Sequence, residues 1–333
     1  MQLLELLNNR IVFIDGAMGT MIQRYQLNEE DFKGEIFKHV TQNLKGNNDL
    51  LNITKPTVIE EIHFEYLAAG ADIIETNTFS ANAISMADYD LVDQVKNINT
   101  AAVNCAKKAR QSFYDKYGHS PKFIAGAIGP TNKTLSLSPD MNNPAFRAVS
   151  FNEVYEAYYE QIESLILAGV DLIIIETIFD TLNAKAAILA FSNYFTNTST
   201  PKLPLIISGT ITDASGRTLS GQTLEAFYIS IKHAQPIAVG LNCALGAQEM
   251  TPYLKEISQI APQSYISVYP NAGLPNAMGQ YDETPEVFSS FIEPWAAAGL
   301  VNIAGGCCGS TPKHISSLVN KIKKYPPRKI LSF

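Results

Sequence analysis

Several things are scarce in this sequence, and each scarcity removes a class of protein. No uninterrupted apolar run among the 333 residues approaches the roughly 18 that a membrane-spanning helix needs. Basic residues are outnumbered, 25 Lys and Arg against 32 Asp and Glu, and the net charge of −7 leaves no basic stripe of the kind phosphate backbones require. Nucleic acid is therefore not an expected partner, and small molecules or other proteins are. Only 4 cysteines occur and two of them are adjacent, which is a poor disulfide framework because neighbours can pair only through a strained ring. The first residues, MQLLELLNNRIVFID, carry an acid at Glu5 and lack a basic stretch with a cleavage site. Together these features predict a cytoplasmic chain with reduced thiols and no membrane association. Low-complexity tracts and interdomain linkers are also missing.

What is present is a repeating alternation. Short apolar, β-rich runs recur at 11–15 (IVFID), 71–77 (ADIIETN), 123–129 (FIAGAIG), 171–177 (DLIIIET), 205–211 (LIISGTI), 238–243 (AVGLNC), 265–271 (YISVYPN) and 302–308 (NIAGGCC). All are apolar on both faces, as buried parallel strands should be. Between them lie amphipathic stretches such as PTVIEEIHFEYLAAG at 56–70, with Pro at its start and Gly past its end, and the helix opened by Ser150 and Glu153 as a capping box. The joints AAGADIIETN, LAGVDLIIIET and AAGLVNIAGG repeat one helix-to-strand phrase. Eight such units predict a single (β/α)8 TIM barrel over 1–325, with 326–333 as a peripheral tail. Two longer segments, 23–51 and 129–150, follow strand C-termini, where barrel enzymes build their sites, and are expected to wall or cover one.

Three cysteines fall where the strand ends should converge: Cys243 after the sixth run, Cys307 and Cys308 after the eighth. Each alone could be a small buried hydrophobe. Together they offer zinc three thiolates and leave its fourth tetrahedral position for substrate, a catalytic arrangement. Adjacent residues of a strand face opposite ways, so the pair can share a metal only if the chain kinks, which Gly305, Gly306 and Gly309 permit. Cys105, on a helix, is expected to take no part. The turn DGAMGT (Asp15, Gly16, Ala17, Met18, Gly19, Thr20) could gather backbone amides around an anion, or could simply be a tight turn. Asp15, Glu75 and Glu176 close apolar strands at the same face, either as site acids or as partners of basic or backbone donors. Thiol activation, an anion-binding turn and nearby acids suit a zwitterionic amino acid carrying a thiol.

At this point the sequence resembles the homocysteine S-methyltransferase family, and within it the cobalamin-dependent branch. The resemblance spans nearly the whole chain and rests on DGAMGTMIQ (15–23), DFKGE (31–35), GNNDLL (46–51), ETNTF (75–79), GPTNKT (129–134), ETIFDTLNAKAA (176–187), SGTITDASGRTLSGQT (208–223), GLNCALG (240–246), PNAGLPN (270–276) and GGCCGSTP (305–312). It implies zinc on Cys243, Cys307 and Cys308. It also implies that Asp15 and Glu176 receive the homocysteine amino group and that the amides from Gly16 to Thr20 receive its carboxylate. Asn271 matches a position that approaches the metal when substrate is absent.

No DxHxxG cobalamin signature occurs. The resemblance therefore implies methylcobalamin supplied from a separate module or subunit, with methyltetrahydrofolate- and cobalamin-binding modules as partners. Two other readings stay open: a stand-alone enzyme taking its methyl group from S-methylmethionine or S-adenosylmethionine, and a non-catalytic subunit that captures homocysteine. A phosphate cup formed by DGAMGT and GGCCGST is a further alternative, in which the adjacent cysteines would serve no purpose.

Overall fold

In the computed structural model, which describes residues 2–212 and 215–331, eight strands form one sheet. They are β1 (Val12–Phe13), β2 (Ile73–Glu75), β3 (Phe123–Ile128), β4 (Leu172–Ile178), β5 (Leu205–Gly209), β6 (Ala238–Gly246), β7 (Tyr265–Asn271) and β8 (Ile303–Ala304). Their spatial order is β1-β8-β7-β6-β5-β4-β3-β2, with every pairing parallel. The two ends of that order meet. Ile14 bridges Ile73, the Asp15 N–H donates to the Ile73 carbonyl at 3.0 Å, and the Asp72 N–H donates to the Phe13 carbonyl at 2.7 Å. The sheet is a (β/α)8 barrel, and each of the eight apolar runs contributes one strand.

The helices start and stop where their chemistry dictates. Helix Pro56–Ala68 has Pro in its first turn, and Gly70 just beyond it takes φ 108°, a left-handed value that frees the chain to turn into β2. Helix Phe151–Ala168 opens on the expected capping box. Ser150 accepts from the Glu153 N–H, and the Glu153 carboxylate accepts from the Ser150 N–H at 2.7 Å. Among the described residues no helix is long and apolar enough to cross a membrane.

The pleat sorts the strand side chains into two cores. Val12, Ile14, Ile73, Ala125, Leu172, Ile174, Ile206, Ala238, Tyr265 and Ile303 fill the barrel interior, joined from below by Leu3 and Leu7 of helix Gln2–Asn9. The residues between them, such as Phe13, Ile74, Ile124, Ile173, Ile207, Val239, Ile266 and Ala304, face the helices and form the outer core. Counting on by twos along the inner face leads to Glu75, Ala127, Glu176, Ser208, Asn242 and Tyr269. The interior thus changes from aliphatic to polar at the C-terminal ends of the strands, which is where a barrel places its chemistry.

Residues 328–331 are fastened beneath the barrel. Arg328 donates to the Ser258 carbonyl at 2.7 Å and the Ser264 carbonyl at 3.0 Å, Leu331 N–H donates to the Pro262 carbonyl, and Ile330 packs against the inner core. In the segment 23–51, residues Gly46, Asn47, Asn48 and Asp49 wall the cavity described below, as expected. The segment 129–150 contributes nothing to that wall. It folds instead onto the start of helix Thr181–Asn197, where Leu135 N–H donates to Asn183 and Ser136 to Asp180.

His63, on the inner side of helix Pro56–Ala68, is fully buried and neither ring nitrogen has a hydrogen-bond partner. Burial alone pushes its pKa down to about 3 from 6.5. The unfolded chain therefore binds a proton below pH 6.5 that the folded chain refuses until about pH 3. The resulting stability is complete above 6.5 and lost as pH falls through that window. His63→Leu removes this dependence, so its stability relative to wild type should rise by about 2 kcal/mol between pH 7.5 and pH 5. Urea unfolding of both proteins at the two pH values measures it, and parallel losses in the two would refute it.

Candidate metal and substrate site

Cys243, Cys307 and Cys308 come together, with their sulfurs all within 4.8 Å of one another. The Cys243 and Cys308 sulfurs are 3.7 Å apart. Thiolates bound to zinc at about 2.3 Å on tetrahedral vertices sit about 3.8 Å apart, so this spacing is one edge of a zinc tetrahedron. All three side chains border the same cavity, so a fourth ligand has room to enter. As free thiols the three share one ionisation. Cys308 gives up its proton first, because its anion accepts from Cys243, from Cys307 and from Tyr281, while Cys307 is pushed up by its contacts with Cys243 and Cys308 and Cys243 is pushed up to about 12.

The route by which these cysteines meet differs from the sequence expectation in two respects. Strand β8 ends at Ala304, so Cys307 and Cys308 lie in the turn beyond it and the pleat does not constrain them. That turn is closed by the Ser310 N–H and hydroxyl, both donating to the Cys307 carbonyl, at 3.0 and 2.6 Å. Gly309 takes φ 80° within it, and a Cβ there would meet the Tyr281 Cβ at 2.3 Å, so only glycine fits. Cys243 is not at the end of a strand but inside β6, next to inward-facing Asn242. The pleat would turn it outward. The β6 register slips between Asn242 and Gly246, with Cys243 at φ 61° and Ala244 at φ 59°, and this bulge brings the thiol into the cavity. A second bulge lies across β5, in β4, where Thr177 stands at φ 53°. Left-handed values are rare for any β-branched residue and cost of order 1–3 kcal/mol each.

Beside the thiols is a cavity of about 340 Å³. The whole turn from Asp15 to Thr20 borders it, as do Glu75, Glu176, Thr177 and Tyr269. Helix Met18–Gln23 begins within the turn, so the amides of its first residues have no acceptor inside the helix. Asp15 and Glu176 are buried, with Glu75 half-buried beside them. One Asp15 oxygen accepts from the Glu75 N–H at 3.0 Å, whereas Asp15 Oδ1 and Glu75 Oε1 have no partner. None of the ion pairs among the described residues involves the three acids. Burial raises all three: Asp15 and Glu75 well above the usual carboxylate range, with the neighbouring acids adding to it, and Glu176 to about 8, with Cys308 adding to it. Carboxylates in such a setting would be stabilised by a cation that reached them.

Sequence-predicted residues are thus gathered with one exception. Asn271 ends β7 with its Oδ1 buried and unpartnered, but it does not border the cavity. Cys105 lies on helix Val95–Tyr117, its thiol facing the Asn52 carbonyl at 3.8 Å, away from the three sulfurs. Sequence reasoning passed over Tyr269, Thr177 and Asn242. Tyr269 and Asn242 could have been found by counting inner-face positions along their runs, whereas the bulge at Thr177 leaves no signal in the residues.

Metal content tests the ligand set. Wild type should carry about one zinc per chain and Cys308→Ala essentially none, while Cys105→Ser should keep the wild-type amount. Elemental analysis of the purified proteins measures this, and equal metal in all three would remove Cys308 from the site.

The molecule is similar in fold to the homocysteine methyltransferase MmuM from Escherichia coli. Against the metallated form the identity is 24%, with 95% of this chain and 97% of that one covered at a TM-score of 0.74. Against the oxidized form the identity is 22%, with 93% and 95% covered at a TM-score of 0.73. The apo form gives 22%, 94%, 96% and 0.66. A sequence model of homocysteine S-methyltransferases matches residues 12–322, almost the entire barrel. The chain belongs to the homocysteine S-methyltransferase family.

Proposed function

We propose that this chain methylates the thiol of L-homocysteine to give L-methionine, with zinc held by Cys243, Cys307 and Cys308. The observation that carries the reading is one cavity bordered by three converging sulfurs and by three acids, two of them buried, that no cation pairs among the described residues. Both halves are needed, since thiols alone would suit a structural metal and acids alone any amine. When bound, zinc supplies a Lewis acid that favours the thiolate form of the substrate sulfur. The remaining work falls to the chain. Asp15 and Glu176 receive the ammonium group, the amides from Gly16 to Thr20 receive the carboxylate, and Asn271 stands near the metal position when substrate is absent. Binding both ends of the amino acid fixes the sulfur in line with the arriving methyl group. The sulfur–methyl bond forms as the bond from methyl to carrier breaks, the electron pair stays on the carrier, and the thiol proton is released.

For the donor we favour methylcobalamin presented by a separate module or subunit. Support comes from the DFKGE and GNNDLL segments, and from apolar side chains left exposed on loops at the strand C-termini: Met141, Phe146, Leu274 and Met278. Free methylcobalamin should then react slowly, and faster when a cobalamin-bearing partner is added, since orientation is worth roughly 7–11 kcal/mol where it is complete. A methyl-transfer assay with methylcobalamin, S-methylmethionine and S-adenosylmethionine decides the donor. Rapid turnover with either onium compound and none with methylcobalamin would replace this assignment with the stand-alone one.

The amino-acid roles have their own test. Asp15→Asn and Glu176→Gln should weaken homocysteine binding by about 10- to 100-fold, a loss of one or two charge-assisted hydrogen bonds, while zinc stays in place. Calorimetric titration alongside elemental analysis reads both. Normal affinity in a protein that has lost its metal would reverse the division of labour.

A further inference from the structure

Asn242 lies at the centre of the two strained bulges and has no role in the account above. It is fully buried between β4 and β6. Its amide nitrogen donates to Thr177 Oγ1 at 2.7 Å and to Glu176 Oε2 at 3.1 Å, and lies 4.0 Å from the Cys307 sulfur. Its amide oxygen accepts from the Thr177 N–H at 3.0 Å and from the Ser208 hydroxyl at 2.7 Å. The next residue in the chain is Cys243.

One planar amide therefore touches both bulges, one of the acids and one of the three sulfurs. It satisfies the Thr177 N–H, which the β4 bulge removes from the strand ladder, and so holds the left-handed turn that follows Glu176. Its orientation is fixed by chemistry: reversal would set its oxygen against the Glu176 carboxylate and its NH2 against the Thr177 N–H. Cys243 is joined to this amide through a single peptide unit, and the amide is bonded in turn to Glu176.

We propose that Asn242 is a positioning residue that couples the thiol cluster to the acid cluster, so that metal binding and amino-acid binding strengthen one another through its amide. The proposal rests on the reading of Glu176 as an ammonium receptor. Coupling is reciprocal, so it can be measured on metal affinity with no methyl transfer at all. A suitable probe is L-norvaline, which keeps the ammonium and carboxylate of homocysteine and has a methyl group where homocysteine has its thiol.

Zinc affinity is measured by chelator competition with and without saturating norvaline in wild type, Asn242→Asp and Asn242→Ala, with circular dichroism confirming the fold of each. In wild type norvaline should tighten zinc about tenfold, within the usual range for coupled sites, and in both variants the effect should shrink to about twofold or less. Asn242→Asp retains the shape and the acceptor but turns a second carboxylate toward Glu176. If the Asn242 variants do not fold, Ser208→Ala removes one donor to the same amide and should reduce the coupling by about half on a logarithmic scale. Undiminished coupling in a folded variant overturns the role of Asn242. Failure of wild type to bind norvaline overturns the ammonium receptor, and the coupling with it.

Discussion

A strand in a closed barrel shows only every second side chain to the interior, and this constraint governs both the core and the site. The inner positions are aliphatic low in the barrel and become Glu75, Glu176, Ser208, Asn242 and Tyr269 at the top, with no change of pleat. Such a layer alone would hold acids and amides but no metal, since Cys243 falls on the wrong parity. The bulge in β6 breaks the rule for one residue, and a second bulge in β4 alters the chain just after Glu176. Both breaks use left-handed residues other than glycine, so they persist only because the surroundings hold them. The amide of Asn242, bonded to one bulge and leading covalently into the other, is the nearest such support.

The fold was legible because its signals repeat. Eight apolar runs, glycine at the joints, and caps such as Pro56 and the Ser150–Glu153 box are local, and each predicts its element without knowledge of the others. The three cysteines were legible because thiols at converging strand ends have a chemistry of their own. The details of the thiol geometry were not. The sequence GLNCALG gives no sign of a register slip, since neither Cys243 nor Ala244 favours the left-handed region. The Cys307 and Cys308 pair read as the end of a strand because NIAGGCC is apolar throughout, yet pairing stops at Ala304. Gly306 marks that limit: a Cβ there would lie 2.5 Å from the Ser310 hydroxyl that closes the cysteine turn. The long segment 129–150 was placed correctly at the active face but not at the cavity, because its contacts to Asp180 and Asn183 are decided by side chains distant in sequence.

These features set stability against function at the top of the barrel. Asp15 and Glu75 are raised by burial and by the neighbouring acids, and Glu176 by burial and by Cys308. Asp49, on the far wall, is raised to about 7 from an ordinary value near 3.8. For a raised acid the folded state holds its proton more tightly than the unfolded chain. Its contribution to stability is complete below about pH 4 and is lost as pH rises through the folded pKa, by about pH 7 for Asp49. His63 contributes in the opposite sense, losing stability as pH falls below 6.5. Near neutrality the core is thus favoured while the acid-lined cavity is under electrostatic stress. A cationic group entering that cavity relieves the stress, because it replaces the protons as the partner of the carboxylates. On the proposed reading, the acids that reduce the stability of the empty barrel are the ones that would receive the amino group of the substrate, and Asn242 with the two bulges joins one of them, Glu176, to the sulfurs.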